Sequence, residues 1–166
     1  MPSLRALQPS KLRPTGRRTD GPDASSIHVP VARAMVDCGV YADGSRLAGK
    51  YTHAAAVAKV RELEADGVPA FVWIGLHEPD EHQMQAVADV FGLHELAVED
   101  AVHAHQRPKL ERYDETLFMV LKTVTYVEHE SVAKAREIVE TGEIMIFVGH
   151  DFVVTVRHGD HGGLAG

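Results

Sequence analysis

The fold of this chain is decided by residues 70–76, which read AFVWIGL. This continuous apolar run lies between Pro69 and Pro79 and is rich in aromatic and β-branched residues. Runs of this length and composition are typical of strands that are buried inside a sheet. We therefore predict a buried central strand over residues 70–76, with Trp73 as part of the core.

Helical patterns lie on both sides of this strand in the chain. Before it, Thr52 is a candidate N-cap, and Gly67 stands where the same helix would end. After it, a second helix is predicted between Pro79 and Gly92, and a third, shorter helix over residues 93–104.

Strand patterns dominate the remaining segments. Residues 31–41 are β-prone, and residues 117–127, 137–148 and 152–157 are three further strand-like runs, the last two joined by a three-residue hairpin connection. The order of elements is therefore β, α, β, α, α and then three strands. This order predicts an α/β (α+β-like) fold, in which a mixed sheet with antiparallel C-terminal strands is flanked by helices.

Length and composition exclude several classes of protein. The 166 residues, 45% of them apolar, suffice for one globular domain. Cys38 is the only cysteine, so an internal disulfide and a zinc–thiolate cluster are excluded. The sequence contains neither the ~20-residue apolar run of a membrane-spanning helix nor an N-terminal secretory signal. The composition is typical of a cytosolic domain.

The charge is distributed unevenly along the chain. Residues 1–33 carry six Lys/Arg and two Asp/Glu, a balance of +4, whereas residues 34–166 carry 11 Lys/Arg and 22 Asp/Glu, a balance of −11. An acidic body repels nucleic acid and attracts cations, so nucleic acid is not an expected partner. We expect a disordered basic tail over residues 1–30, a folded domain over residues 31–158 and a flexible end over residues 159–166.

The densest group of polar residues surrounds the third predicted helix. His94, His103 and His105 would offer imidazoles to a transition metal, together with a carboxylate. His103 and His105 are two residues apart, however, and such positions point to different sides of a helix. Surface histidines that bind no metal are the favoured interpretation of this set.

Glu99 and Asp100 admit two further interpretations. As adjacent helical residues they are rotated by ~100° from each other, so they do not form a facing acid/base pair. Since no nucleophile or phosphate-loop motif is present either, an enzyme is not expected. A hard-cation site is compatible with them, because Mg²⁺ takes one or two protein carboxylates and keeps several waters. Spacing alone favours a solvated acidic helix face over such a site.

An ordered series of segments nevertheless resembles a known family, the CorA-type magnesium/cobalt transporters. The resemblance is to their N-terminal cytoplasmic domain and extends over about residues 34–158, most specifically over residues 99–111. It is carried by residues 73–76 (WIGL), 91–94 (FGLH), 96–100 (LAVED), 105–111 (HQRPKLE) with Tyr113, then Phe118 and Leu121, and 152–157 (FVVTVR).

The resemblance implies a function that spacing alone does not give. Members of the family are homopentameric channels at the cell membrane, each subunit having a cytoplasmic α/β domain, a long stalk helix and two C-terminal membrane helices. In them, the position of Asp100 faces a carboxylate on the neighbouring subunit's stalk, and a bridging Mg²⁺ keeps the pore closed. The position of Glu99 is associated with a second ion nearby. His105, Arg107 and Lys109 lie in the motif loop and are interpreted as structural.

The sequence departs from the family pattern by ending at Gly166, before a stalk helix, a membrane helix or the Gly-Met-Asn signature. We therefore expect an excised domain or a natural fragment that does not conduct ions. It would carry only half of the Mg²⁺ site, bind Mg²⁺ weakly (with Co²⁺ as an alternative cation) and be a monomer or a weak dimer in the cytoplasm. In the full-length protein it would lie at the cytoplasmic face of the membrane, attached only through the missing C-terminal helices. A stand-alone protein-binding module of the same fold is the alternative.

Overall fold

The computed structural model describes residues 30–126 and 139–159. The predicted tail over residues 1–30 and the predicted flexible end over residues 159–166 fall almost entirely outside these ranges, as do the first residues of the strand predicted over 137–148. Those predictions therefore stay predictions.

The described chain contains three α-helices, seven strands and a short 3-10 turn at Val31–Arg33. The elements, in chain order, are β1 Met35–Ala42, β2 Ser45–Arg46, α1 His53–Ala65, β3 Ala70–His77, α2 Glu81–Phe91, α3 Glu95–Val102, β4 Lys109–Tyr113, β5 Thr116–Tyr126, β6 Val139–Val148 and β7 Phe152–His158. The predicted order is confirmed for the three helices and for five of the seven described strands. The short strands β2 and β4 were missed. The β2 strand has only two residues, and the largely charged sequence of β4 shows no alternation of apolar and polar residues.

All seven strands form one mixed sheet in the order β2-β1-β3-β7-β6-β5-β4. The β3 strand pairs with β1 in antiparallel and with β7 in parallel orientation. The remaining pairs, from β7 through β6 and β5 to β4, are antiparallel. The sequence-based fold class, a mixed sheet with antiparallel C-terminal strands and helices packed on it, is therefore confirmed.

Local signals set the helix ends, and the caps at Thr52 and Gly92 confirm the predicted ones. The Thr52 side chain accepts a hydrogen bond from the amide of Ala55 at 3.2 Å and caps α1. Asp80 and Gln83 form a reciprocal capping box at the start of α2. Gly92 ends α2 with φ = 64°, a left-handed conformation that glycine adopts without steric cost.

The core lies between the helices and one face of the sheet. Helical side chains such as Val60, Met84 and Val87 pack with alternate residues of five strands, all of them buried. Phe118 of β5 and Phe147 of β6 are fully buried, and their ring centroids are 4.7 Å apart. These core residues of the strands are Cys38, Val40, Val72, Ile74, Leu76, Phe118, Val120, Met145, Phe147, Phe152, Val154 and Val156.

The opposite face of the sheet, which we call the outer face, is covered by none of the described helices. Trp73, Leu110 and Leu121 lie on it and are 46%, 64% and 41% exposed. The prediction that Trp73 belongs to the core is therefore wrong, although the predicted strand is correct. The continuous apolar run suggested burial on both sides, whereas helices α1, α2 and α3 pack on one side only.

Truncation of a core ring should destabilise the fold strongly. We expect Phe147→Ala to lower the free energy of unfolding by about 3–5 kcal/mol, since it removes a fully buried ring and leaves a cavity. The matched control Leu110→Ala, on the outer face, should change it by less than ~0.5 kcal/mol. Urea denaturation followed by circular dichroism measures both. Equal effects of the two substitutions would contradict the one-sided core.

Candidate functional site

Helix α3 presents the two acidic residues singled out by the sequence. Ala97, Val98 and Ala101 are its buried side, packed into the core. Glu99 is consequently exposed to solvent, while the Asp100 side chain is turned towards β4 and retains 24% exposure. The two carboxylates diverge as the rotation between adjacent helical residues requires.

Asp100 is held by a lysine from the neighbouring strand. Lys109, the first residue of β4, places its Nζ 2.7 Å from Oδ2 of Asp100 and 2.7 Å from Oε2 of Glu111. The Tyr113 hydroxyl donates to the same Glu111 oxygen at 2.9 Å. Because β4 residues alternate, Lys109, Glu111 and Tyr113 all face α3, so one ammonium group bridges helix and strand.

Aromatic contacts complete this group of side chains. The His94 ring, at the N-cap of α3, stacks on Tyr113 with centroids 4.3 Å apart, and its Nδ1 accepts a hydrogen bond from the amide of Leu96. The Lys109 ammonium also lies 5.6 Å from the ring centroid of Phe118, within the range of a cation–π contact. We call Asp100, Lys109, Glu111, Tyr113 and His94 the α3–β4 network.

The ion pairs of this network shift the pKa values of its members. Hydrogen bonds to Asp100 and then to Glu111 raise the pKa of Lys109. Hydrogen bonds from Lys109 and Tyr113 lower the pKa of Glu111. Lysine and glutamate are therefore both charged at neutral pH.

His94, His103 and His105 do not gather into a metal site. Over residues 30–126 and 139–159, no three His, Cys, Asp or Glu side chains are arranged to hold a metal ion. His94 caps α3, the Nδ1 of His103 lies 2.9 Å from the carbonyl oxygen of Glu99, and His105 is exposed with φ = 77°. His94, His103 and His105 thus have separate surroundings, and Arg107 is likewise exposed.

Glu143 of β6 is an anchoring residue that the sequence did not reveal. It is only 6% exposed, it pairs with Lys122 of β5, and it accepts a hydrogen bond from the amide of Gln106 at 3.2 Å. Burial on its own raises the pKa of Glu143, but the hydrogen bonds from Lys122 and from the amides of Gln106 and His105 outweigh it and lower that pKa. Glu143 therefore fixes the loop that connects α3 to β4.

A second tie fixes the C-terminal end of α3. Nε2 of His158, the last residue of β7, lies 2.8 Å from the carbonyl oxygen of Ala101. Neither the contact of Glu143 with Gln106 nor that of His158 with Ala101 leaves a local pattern in the sequence, because the partners are 37 and 57 residues apart. The only signal for Glu143 in the sequence is that it stands directly before the apolar run at residues 144–148 of β6.

Residues 69–164 match the model of one protein family, described as CorA-like Mg²⁺ transporter protein. The chain belongs to the CorA-like family. The match covers more than half of the sequence and includes α3, β4 and the whole α3–β4 network. The resemblance inferred from the sequence is thereby confirmed.

Two curated relatives also match parts of this CorA-like chain. YfjQ of Bacillus subtilis (strain 168), named provisionally as a metal ion transporter, is 33% identical over 96 residues, which are 58% of this chain and 27% of that protein. The cobalt/magnesium transport protein CorA of Thermotoga maritima is 38% identical over 71 residues, 42% of this chain and 20% of that protein. The CorA-like chain thus spans about a quarter of the length of YfjQ, and neither name refers to an enzyme activity.

A solved structure shares the fold. The full-length CmaX protein superposes with a TM-score of 0.57 at 16% identity, over 80% of this chain and 37% of that one. At this identity the likeness concerns the fold alone. In the described part of the CorA-like chain, no helix has the length and apolar character needed to cross a membrane.

Neutralising Glu143 should weaken the domain in a pH-dependent way. We expect Glu143→Gln to lower the free energy of unfolding by about 1–3 kcal/mol at pH 7, because Lys122 and the loop amides lose a charged acceptor. The folded-state pKa is lowered, so the contribution of the carboxylate is complete above the ordinary glutamate pKa of about 4.3 and is lost as the pH falls through the folded value.

Urea denaturation between pH 3 and pH 7 measures this difference. The control Glu115→Gln removes the same charge from an exposed turn residue and should leave stability nearly unchanged across the range. A deficit of Glu143→Gln that does not shrink towards acidic pH would contradict the assignment.

Proposed function

We propose that this chain is the Mg²⁺-responsive regulatory domain of a CorA-like divalent cation transport protein, placed at the cytoplasmic face of the membrane. The observation that carries the proposal is the partly exposed carboxylate of Asp100 on α3, within the segment that matches the family. Mg²⁺ and Co²⁺ are the proposed cations, by analogy with the named Thermotoga relative.

The chemistry of Asp100 suits a cation that must bind and leave. Mg²⁺ usually keeps several waters and accepts one or two carboxylates, so a single accessible aspartate forms a weak site. Glu99 lies beside Asp100 but points to another side of α3. We propose that Glu99 binds a second ion rather than the ion at Asp100. Each residue is then half of a site whose other half lies on a neighbouring subunit.

A bridging ion would regulate by favouring one assembly. A cation held between Asp100 and a partner carboxylate stabilises the assembly in which the two carboxylates are close. The stabilisation equals the difference in the free energy of cation binding between this assembly and the one in which they are apart. The charge balance of −11 over residues 34–166 supplies the repulsion between subunits that the ion relieves. We propose a homopentamer for the full-length protein, with residues 31–158 as the regulatory domain and residues 1–30 as an appended tail.

The isolated chain should bind Mg²⁺ weakly and through Asp100. We expect a dissociation constant of roughly millimolar order, because one carboxylate and water provide few ligands. Asp100→Asn should abolish the response, while Asp66→Asn, which removes the same charge from an exposed position after α1, should retain it. Amide chemical shifts of α3 followed during titration with MgCl₂ measure the affinity.

Two outcomes would contradict the half-site. Micromolar affinity would require a complete set of ligands within one chain. An unchanged response in Asp100→Asn would move the binding residue elsewhere.

The association of the chain with itself provides an independent test. We expect a monomer or a weak dimer at micromolar concentration, because the proposed bridging carboxylate lies on another segment of the full-length protein. Light scattering with size-exclusion chromatography determines the mass. A stable pentamer of residues 1–166 would show that this domain assembles without any further segment.

A stand-alone protein-binding module is the second candidate, and the outer face favours it. Leu121 and Leu110 are exposed apolar residues on the neighbouring strands β5 and β4, and Trp73 is a further one on β3; a docking surface would use such residues. The reading frame beyond codon 166 distinguishes the two. Two apolar stretches of ~20 residues, the first ending in Gly-Met-Asn, support the transport protein; a stop codon supports the module.

A further inference from the structure

Lys109 forms an ion pair with Asp100, the carboxylate that the proposed function assigns to Mg²⁺. Its Nζ lies 2.7 Å from Oδ2 of Asp100, and the two side chains retain 28% and 24% exposure. We propose, on the basis of the Mg²⁺ site at Asp100, that Lys109 is a tethered counter-ion which sets the affinity of that site by competing with the divalent cation.

The competition follows from geometry and charge. A cation that binds Oδ2 of Asp100 must take the position of the ammonium group or approach within a few ångströms of it. At a separation of about 5 Å, a doubly charged ion and an ammonium ion repel each other even at the permittivity of water. Since Lys109 is attached to the backbone of β4, it is present at Asp100 at every Mg²⁺ concentration, unlike a cation from solution.

Glu111 gives the ammonium group a second carboxylate partner. Lys109 contacts Oε2 of Glu111 at 2.7 Å, and the Tyr113 hydroxyl holds the same oxygen. When Mg²⁺ takes Asp100, Lys109 keeps Glu111 and the nearby ring of Phe118, so no unpaired buried charge is created. When Lys109 releases Asp100, it loses one of its two ion pairs and keeps the other. This limited loss allows Mg²⁺ to compete for Asp100.

This arrangement assigns Lys109, the first residue of β4, a positioning role beyond a purely structural one. With the ammonium on Asp100, α3 is tied to β4; with Mg²⁺ on Asp100, the carboxylate is available to a second subunit. The free energy of Mg²⁺ binding is thus the difference between two free energies, that of the contact of Mg²⁺ with Oδ2 of Asp100 and that of the contact of the ammonium group with the same oxygen. A neutral side chain at position 109 should tighten Mg²⁺ binding, whereas loss of a purely structural residue would leave it unchanged or weaken it.

The test compares Mg²⁺ affinities of the full 166-residue chain and its variants, with MgCl₂ as the only added divalent cation. Lys109→Met keeps the length of the side chain and removes the charge, and we expect it to raise the affinity about tenfold. Lys109→Gln should do the same, which guards against a folding defect in either variant. Lys109→Arg, which keeps the charge, should restore the wild-type affinity to within about twofold.

Lys59→Met is the matched charge control. Lys59 pairs with Glu62 on the exposed side of α1, so its removal changes the net charge equally without touching Asp100. We expect its Mg²⁺ affinity to stay within about twofold of wild type. Thermal melting and amide spectra of each variant establish that the compared proteins are folded.

The outcomes separate this inference from the proposed function. If Asp100→Asn abolishes Mg²⁺ binding but the neutral variants at position 109 bind no more tightly than wild type or Lys59→Met, the tethered counter-ion is wrong and the Mg²⁺ site stands. If no variant with Asp100 intact responds to Mg²⁺, both are wrong. Tightening in Lys109→Met and Lys109→Gln, reversed in Lys109→Arg, supports the inference.

Discussion

The parallel pairing of β3 with β7 joins the two halves of the molecule. Its register runs from Val72 opposite Phe152 to His77 opposite Arg157, across 80 residues of chain. Of the described elements between the two strands, α2 and α3 pack on one face of the sheet and β4–β6 extend it beyond β7. The position of α3 against β4 and the end of β7 is a consequence of this one long-range pairing.

Helix α3 depends on those neighbours for its own existence. Eight residues make too few hydrogen bonds for a helix that is stable alone in water, so its order comes from tertiary contacts. Ala97 and Ala101 bury its inner side, and His158 holds its last turn. Lys109 ties its outer side to β4. The direction in which Asp100 points is set by these contacts, and with it the geometry of the proposed cation site.

Charge acts at two distances in this domain. The acidic balance over residues 34–166 attracts cations in general, an effect that salt screens beyond about 10 Å. Lys109 acts at contact distance on one carboxylate. The first property is a sum over the sequence, and the second arises only where strand and helix meet. In the proposed cation site, the general attraction would collect the cation and the competition by Lys109 would let it leave.

The sequence by itself determined the order of the three helices and of five of the seven described strands, the helix ends at Thr52 and Gly92, and the family. These features depend on periodicity, caps and motif order, which neighbouring residues carry. It named Asp100 as a candidate but not its partner. Only the tertiary structure decided that Trp73 lies outside the core and that Asp100 is held by Lys109, because which face of a strand is covered and which distant charges meet depend on how the elements pack.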